Sequence, residues 1–365
     1  MVNTKKIIIG VLVIAVVITA YFYFFKPKIT PAPVTTKSDP FSSLMEKNSD
    51  FAEAEKAAKA GDLQKAEALY QSALEKAQHI DERGQIEYKI ADVNTNRDPI
   101  KAIGILKGIA ANSQYSNIQR AYAIQQMGEV FFKNSTTSVT TAIFTGDPYS
   151  SFNKEGDSRL AYRRLYEYAA SFYPLSMSEV RASVWYSSEI LRLKKTKTLA
   201  EQLTIKDELL GYRKKVLGNL ELADRDIERT RTAPNAGLLI PYTLALRAAV
   251  LGYMYESGDR SFPDPEIAFK EAIGAGLLIK GDGPARLQYA VFLARNYGAK
   301  RKDDIAKLLA PVGTGPEYAG LRRVFTNEKN NVIGSKSNFI LISQIDPDFR
   351  KLLISLGWDP TKDFK

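Results

Sequence analysis

The chain has 365 residues, of which 45% are hydrophobic and 25% charged, so it can bury a sizeable core and is too apolar to be mainly disordered. Its length predicts roughly two domains, or one large helical domain. The net charge is +10, cysteine is absent, and His79 is the only histidine. This composition excludes disulfide scaffolds, zinc fingers, iron–sulfur sites and cysteine nucleophiles, and it leaves histidine-dependent catalysis to a single residue.

An uncharged apolar run stands near the start of the chain. Residues 1–6 form a short polar tail, and residues 7–25 carry no charge and end in the aromatic run Tyr21–Phe25. A helix of this length reaches about 28 Å, close to the ~30 Å hydrocarbon core of a bilayer. We therefore predict a transmembrane helix over 7–25 that binds the lipid bilayer. A cleaved signal peptide is the alternative, although its apolar region is usually shorter and ends in small residues.

The segments that flank this run bear on topology. Lysines stand on both sides of it, so the positive-inside rule is nearly balanced. A short leader before a large C-terminal part favours a cytoplasmic N-terminus, with the body of the protein outside the cell membrane. Residues 26–42 are rich in proline and threonine, which predicts an extended, semi-rigid linker.

The pattern becomes helical from residue 43 onward. Ser43 and Glu46 have the spacing of a helix N-terminal capping box. Two amphipathic stretches follow, separated by Gly61-Asp62, a pair that ends one helix and starts another. Apolar residues recur in them at intervals of three and four, among them Phe51, Ala54, Ala66, Tyr70 and Ala73. This pattern predicts two helices that form an antiparallel hairpin.

The second of these helices carries a family resemblance. The run AGDLQKAEALYQSAL at 60–74 resembles the middle of a tetratricopeptide repeat, and the matching positions are Ala54, Gly61, Leu63, Ala66, Tyr70 and Ala73. A similar unit returns about 36 residues later. There, Asp98-Pro99 starts a helix, since aspartate caps and proline suits the first turn. The resemblance implies an α-solenoid of helical hairpins over 43–133, with a protein or peptide as its partner.

The rest of the chain extends this array. Residues 134–158 are rich in Thr, Ser, Gly and Asp and predict a long loop. Further hairpins are predicted over 159–311, where Ser176 and Glu179 have a second capping-box spacing. Residues 251–276, which begin LGYMYESG, resemble a sel-one-like repeat. Residues 312–365 are predicted to cap the last hairpin. The predicted fold class is thus all-α, a single transmembrane helix followed by an α-solenoid of tetratricopeptide-like hairpins.

No catalytic, metal or cofactor motif emerges. The sequence has no phosphate-binding loop and no dinucleotide fingerprint, and a two-histidine zinc motif is impossible. Ser151 and Lys154 have the spacing of some serine acylases but lack the companion motifs. His79 is predicted near a helix end, where a positive charge is favoured. We therefore expect no enzyme activity, no catalytic or metal-binding residue, no cofactor and no nucleic-acid partner.

Two basic clusters stand out, at 194–197 and 213–215. They are suited to attract anionic lipid or an acidic partner, although solvated helix faces explain such clusters more often.

The expected functional surface is the groove of the helical stack. In tetratricopeptide families this groove is lined by the first helix of each hairpin, and it binds a peptide or a domain. Glu87 and Asn94 are seven residues apart on one side of such a helix, opposite its apolar stripe, which makes them the candidate groove residues.

The leading functional hypothesis is a membrane-anchored scaffold, assembly factor or chaperone-like component of the cell envelope. One alternative is an envelope enzyme that acts on polysaccharide or peptidoglycan from a helical scaffold. Another is a structural subunit that associates with itself. The sequence leaves the oligomeric state open.

Overall fold

The computed structural model describes residues 40–134, 136–230, 236–277 and 282–309, together with Arg350, Lys351 and Ile354. Internal contacts divide the chain into the units 1–40 and 41–365, and all of the described residues except Pro40 belong to the second unit. Every regular element in the described stretches is a helix.

The predicted fold class needs a correction at its N-terminal part. Within the described stretches, none of the helices combines the length and the apolar character needed to cross a bilayer. The predicted span, residues 7–25, lies outside the described residues, as do most of the linker and most of the predicted C-terminal cap. The part of the predicted fold that the structure shows is an all-helical array of the α-solenoid kind.

The helices follow one another with short connections. The first seven α-helices are α1 (Pro40–Lys47), α2 (Ser49–Lys59), α3 (Leu63–Lys76), α4 (Ile80–Asn94), α5 (Pro99–Ala111), α6 (Asn117–Lys133) and α7 (Thr137–Ile143). The next eight are α8 (Ser158–Phe172), α9 (Ser176–Thr196), α10 (Leu199–Thr204), α11 (Lys206–Thr230), α12 (Ala236–Glu256), α13 (Pro265–Leu277), α14 (Gly283–Tyr297) and α15 (Lys302–Leu309). Two 3-10 helices cover Tyr149–Asn153 and Gly298–Arg301.

Six pairs of these helices pack as hairpins. The pairs are α2 with α3, α4 with α5, α6 with α8, α9 with α11, α12 with α13, and α14 with α15. At four of the five junctions between them, the second helix of one hairpin also packs along the first helix of the next. The junction after the fourth hairpin differs, because α11 only touches α12 while α12 packs along α9.

Local capping explains why several helices begin where they do. Asp62 and Asp98 are N-cap residues. Each side chain accepts a hydrogen bond from the backbone N–H of the residue three positions later, and Pro99 occupies the first turn of α5. Gly61 has a φ of 82°, a left-handed conformation that glycine adopts without strain, and it separates α2 from α3. The predicted hairpin turn and the predicted start at Asp98-Pro99 are both confirmed.

Both predicted capping boxes are wrong. Ser43 lies inside α1, and the residue that caps α2 is Asn48, whose side chain accepts from Phe51 N at 3.2 Å. Ser176 lies inside α9, and its backbone N–H donates to Asp226 Oδ2 of α11 at 2.7 Å. A carboxylate fifty residues away therefore caps this helix, which a local spacing rule has no means of detecting.

The predicted long loop at 134–158 also needs correction. It contains α7 and the first 3-10 helix. Val139, Ile143 and Tyr149 are buried in the same apolar cluster as Leu106 and Met127 of the neighbouring helices. The segment is mostly polar in composition, which is why a loop was predicted, but its few apolar residues are buried in the core and hold it in a folded conformation. In the fourth hairpin, by contrast, α11 runs unbroken through Gly211 and Gly218.

Close approach of α6 and α8 depends on a glycine. Tyr166 of α8 is fully buried and lies directly over Gly128 of α6. A Cβ atom at position 128 would be 2.6 Å from Tyr166 Cζ, closer than two such atoms can approach. The absence of a side chain at Gly128 therefore sets the distance between these two helices.

Candidate protein-binding face

A row of polar and aromatic side chains crosses the first helices of four hairpins. Its members come from α4, α6, α9 and α12, and we call it the first-helix row. It consists of Tyr88, Asp92, Tyr122, Gln126, Glu129, Arg181 and Tyr242. Asp92 is exposed, Arg181 is buried, and the other five are partly exposed, so the row is open to contact along most of its length.

The N-terminal part of the row joins α4 to α6. Tyr88 Oη donates to Gln126 Oε1 at 3.3 Å, and Gln126 Nε2 donates to Asp92 Oδ1 at 3.4 Å. The rings of Tyr88 and Tyr122 meet edge to face, with centroids 6.4 Å apart. Positions 122, 126 and 129 are spaced by four and three residues, so they lie on one face of α6. At one end of that face, Glu129 contacts Arg181 of α9.

Arg181 of α9 is the centre of the row. Its guanidinium donates through Nη2 to Glu129 Oε2 at 3.1 Å and to Tyr242 Oη at 2.8 Å. Glu129 accepts a second hydrogen bond from Tyr166 Oη at 2.6 Å. The side chains of Arg181 and Glu129 are 6% and 17% exposed. This ion pair is therefore largely desolvated. Through Glu129 and Tyr242, the Arg181 guanidinium connects the third, fourth and fifth hairpins.

Aromatic rings surround the guanidinium. Arg181 Cζ lies 5.0 Å from the ring centroid of Phe132, 5.2 Å from that of Tyr242 and 5.9 Å from that of Tyr162. Phe132 is itself 40% exposed. No group among the described residues accepts a hydrogen bond from Arg181 Nε. Burial also raises the pKa of Tyr166 and of Tyr242, so both phenols stay protonated, and Tyr166 keeps the proton that it donates to Glu129.

The chemistry of the row suits recognition of another polypeptide. Tyrosine and arginine are the residues that dominate binding energy at protein interfaces. Tyrosine offers a large rigid ring with a polar tip, and it loses little conformational entropy when it is buried. The row combines such rings with an exposed carboxylate and a side-chain amide, so it can bind both apolar and hydrogen-bonding groups.

The two predicted groove residues lie elsewhere. Glu87 is partly buried and accepts from Tyr115 Oη at 2.8 Å. Burial, with this hydrogen bond, raises the pKa of Tyr115 to about 12. Asn94 is 1% exposed, and its Nδ2 donates to the carbonyl of Ile90 at 2.9 Å. The placement of Asn94 in an open groove is therefore wrong, because α4 packs between α3 and α5 at that end.

Sequence reasoning missed Arg181 and Tyr242. Residues 177–183 of α9 read MSEVRAS, which does not mark the stretch as a core, although the structure buries all of it and a buried charge needs a partner. The periodic pattern does not identify that partner, because Glu129 and Tyr242 are 52 and 61 residues away along the chain.

The other side chains in the described stretches that were considered for catalysis or metal binding either contact a neighbouring group or lie apart from one another. Ser151 Oγ donates to the carbonyl of Pro148 at 2.6 Å, within its own turn. His79 is exposed and lies three residues after the last residue of α3, near a helix end as predicted, and it is also the N-cap residue of α4. A small pocket between α12, α13 and α14 contains Glu256 and Arg295, but these two charges face each other at 3.9 Å. Within the described part of the chain, no group of three or more metal-binding side chains comes together.

Comparison with known proteins gives no match: no protein-family model, curated protein or solved structure is significantly similar to the chain.

Proposed function

We propose that the chain is a helical-repeat protein of the tetratricopeptide type, which binds another protein or a peptide through the first-helix row. Its role is that of a scaffold, an assembly factor or a chaperone-like component. The observation that carries this proposal is the row itself, which consists of two sets of hydrogen bonds and ring contacts that share one face of α6 and together cross the first helices of four hairpins. First helices are also the elements that line the ligand groove in the family that 60–74 resembles.

The arrangement of the row supports this role in two ways. Rigid elements hold it, since each member sits within or at the end of a helix packed on both sides. Its centre is fixed by a desolvated ion pair, while Asp92, Gln126 and Phe132 remain accessible. A partner that contacts the row therefore meets side chains that are already ordered, which lowers the entropic cost of binding.

The proposal is tested by reversing a charge in the row. The full-length protein and its Asp92→Arg variant are used to capture proteins from the cells that produce them, and the captured proteins are quantified by mass spectrometry. Asp92 is exposed, so the variant should fold normally. We expect the captured amount of at least one specific partner to fall about tenfold or more. The variant removes a polar contact and brings like charges together, and these two changes weaken affinity by about that factor.

A matched control separates the row from the surface in general. Glu75→Arg makes the same change of charge at an exposed position of the second helix α3. It should capture the same proteins as the unchanged chain. Identical sets of proteins for all three forms would count against binding through the row.

A further inference from the structure

Two hydrogen-bond donors at the centre of the first-helix row have no acceptor. Arg181 uses Nη2 for both of its hydrogen bonds, to Glu129 and to Tyr242. Neither its Nε–H nor the hydroxyl of Tyr162 of α8 meets an acceptor among the described residues, and both atoms are buried. A buried donor has lost its hydrogen bonds to water, so an unpaired one destabilises the protein unless another molecule supplies the acceptor.

Both donors belong to one small group of side chains. The ring of Tyr162 is centred 5.9 Å from Arg181 Cζ. Burial raises the pKa of Tyr162, and the nearby charge of Arg181 opposes that shift. Glu129 and Tyr242 add to the shift, so they too lie near this hydroxyl. Both oxygens of Glu129 already accept a hydrogen bond, Oε2 from Arg181 and Oε1 from Tyr166. The two donors are therefore left over from the same polar cluster.

A single exposed ring packs over this cluster. The ring centroid of Phe132 lies 5.0 Å from Arg181 Cζ and 5.9 Å from the ring centroid of Tyr162, and Phe132 is 40% exposed. It is the last residue but one of α6. Exposed side chains change rotamer within nanoseconds, so the ring can move without a shift of any helix. Access to the cluster therefore depends on one side chain.

The charge of the cluster favours an uncharged acceptor. Glu129 balances the charge of Arg181, and the tyrosines are neutral. A second carboxylate would give the cluster a net negative charge away from water, which is costly, whereas a neutral group carries no such penalty. A carbonyl oxygen has two lone pairs, so one atom can accept from both Arg181 Nε and Tyr162 Oη.

A side-chain amide suits the cluster better than a backbone carbonyl does. It enters end-on, and it brings no segment of main chain into the buried space. Its NH2 group needs an acceptor, and the oxygens of Glu129 and Tyr242 each have a lone pair left for one. The aromatic rings beside the guanidinium can contact its apolar stem.

We propose that this cluster binds the side-chain amide of an asparagine or glutamine of the partner polypeptide. We call it the amide subsite, and it consists of Glu129, Phe132, Tyr162, Arg181 and Tyr242. The ring of Phe132 moves aside, and the amide oxygen accepts from Arg181 Nε and Tyr162 Oη. The subsite rests on the proposed function, since its central residue, Arg181, is also the centre of the first-helix row.

The test uses propionamide, which has the structure of a glutamine side chain, and the full-length protein with fluorophenylalanine at position 132. The fluorine NMR resonance reports the surroundings of that ring. Propionamide should shift the resonance to saturation. Sodium propionate has the same shape but a negative charge, and it should bind about tenfold or more weakly.

A tyrosine variant assigns the effect to the subsite. Tyr162→Phe keeps the ring and removes the hydroxyl, so it should weaken the binding of propionamide about fivefold to tenfold through the loss of one hydrogen bond. Its midpoint of urea unfolding should be unchanged or higher, because the hydroxyl has no acceptor in the free protein. Tyr168→Phe is the matched control on α8. Tyr168 packs in a separate aromatic cluster with Tyr149 and Phe152, and this variant should bind propionamide normally.

Four outcomes would each overturn the amide subsite. Propionamide that gives no saturable shift would show that nothing binds there. Propionate that binds as tightly as propionamide would assign the cluster to an acidic group. Unchanged propionamide binding by Tyr162→Phe would place the binding elsewhere. A lower unfolding midpoint for Tyr162→Phe would show that bound water already satisfies the hydroxyl.

Protein capture with the same variant separates this subsite from the proposed function. Tyr162→Phe should lose the partner that Asp92→Arg loses. If Asp92→Arg loses a partner that Tyr162→Phe retains, the row binds its partner without the amide subsite, and only the subsite fails. If propionamide binds as expected but Asp92→Arg loses no partner, the proposed function is the part that fails.

Discussion

The first two hairpins and the fourth hairpin use the same element, a pair of antiparallel helices, but different interactions hold them. In α2 to α5 the core is apolar, with Phe51, Tyr70 and Ile103 among its members, and each helix packs along the next. In the fourth hairpin α9 buries an arginine, a glutamate and three serines, and α11 leaves Leu210 and Leu217 exposed. The regular hairpins are stabilised by contacts that are local in sequence. The fourth hairpin depends on distant partners, and its Arg181 is the centre of the first-helix row.

The largest effect should come from the buried ion pair. Arg181→Ala leaves the Glu129 carboxylate without its cation, and we expect a loss of about 3–5 kcal/mol in the free energy of unfolding, measured by urea denaturation. The variant Arg181→Met/Glu129→Leu removes both charges and should recover most of this loss. The matched control is Arg164→Ala, which breaks the more exposed ion pair with Glu155. If Arg181→Ala lost no more stability than this control, the ion pair at the centre of the row would not stabilise the fold.

The second prediction concerns pH and the carboxyl of Glu179. Burial raises its pKa to about 7 from an ordinary 4.5; Glu167 and Asp226 add to the shift, and Lys215 opposes it. Since the folded state holds this proton more tightly, the stabilisation is fully present below about pH 4.5 and is lost as the pH rises through about 7. A shift of this size corresponds to about 3 kcal/mol.

Glu179→Gln stays neutral at every pH and should remove that dependence. Urea unfolding of both proteins at about pH 5 and about pH 8 measures the difference. The stability of the unchanged chain should fall more steeply between the two values than that of the variant. Equal slopes would mean that Glu179 titrates alike in the folded and unfolded states.

Two glycines, Gly128 and Gly104, lie on a close-packed and an open helix face, respectively. Gly128→Ala would force a methyl group against the buried ring of Tyr166, and we expect a loss of about 1–3 kcal/mol. Gly104→Ala in α5 meets nothing within 4 Å and should stabilise the protein by about 0.5–1 kcal/mol. Thermal unfolding of the two variants should therefore shift in opposite directions. A shift in the same direction for both would contradict the packing of α6 against α8.

The smallest effect is expected at a local helix cap. Asp98 accepts from Lys101 N at 3.0 Å, and Asp98→Ala should cost about 1 kcal/mol in the free energy of unfolding. Asp98→Asn keeps an acceptor at this position and serves as the control, with little loss expected. A large loss in both variants would indicate that Asp98 has a role beyond the cap.

The difference between contacts that are local in sequence and contacts with distant helices explains how much the sequence could predict. The turn at Gly61-Asp62 and the start at Asp98-Pro99 are confirmed because the interactions that fix them lie within three residues. The cap of α9, the folded segment at 137–153 and the burial of Asn94 were missed because each depends on a helix elsewhere in the chain.

The first-helix row was missed for the same reason. Its centre joins residues that are more than fifty positions apart, and helical periodicity carries no information at that range. The general idea that first helices carry the binding face came from the resemblance at 60–74, while the residues named for it, Glu87 and Asn94, lie outside the row.

Site-specific photo-crosslinking in living cells tests whether another protein binds at the first-helix row. A photoreactive residue replaces Gln126, a partly exposed member of the row, and in a second protein it replaces Gly108, which is exposed on the second helix α5 with nothing within 4 Å. We expect a discrete covalent adduct with another protein at position 126 and none at position 108. No adduct at position 126, or the same adducts at both positions, would contradict it.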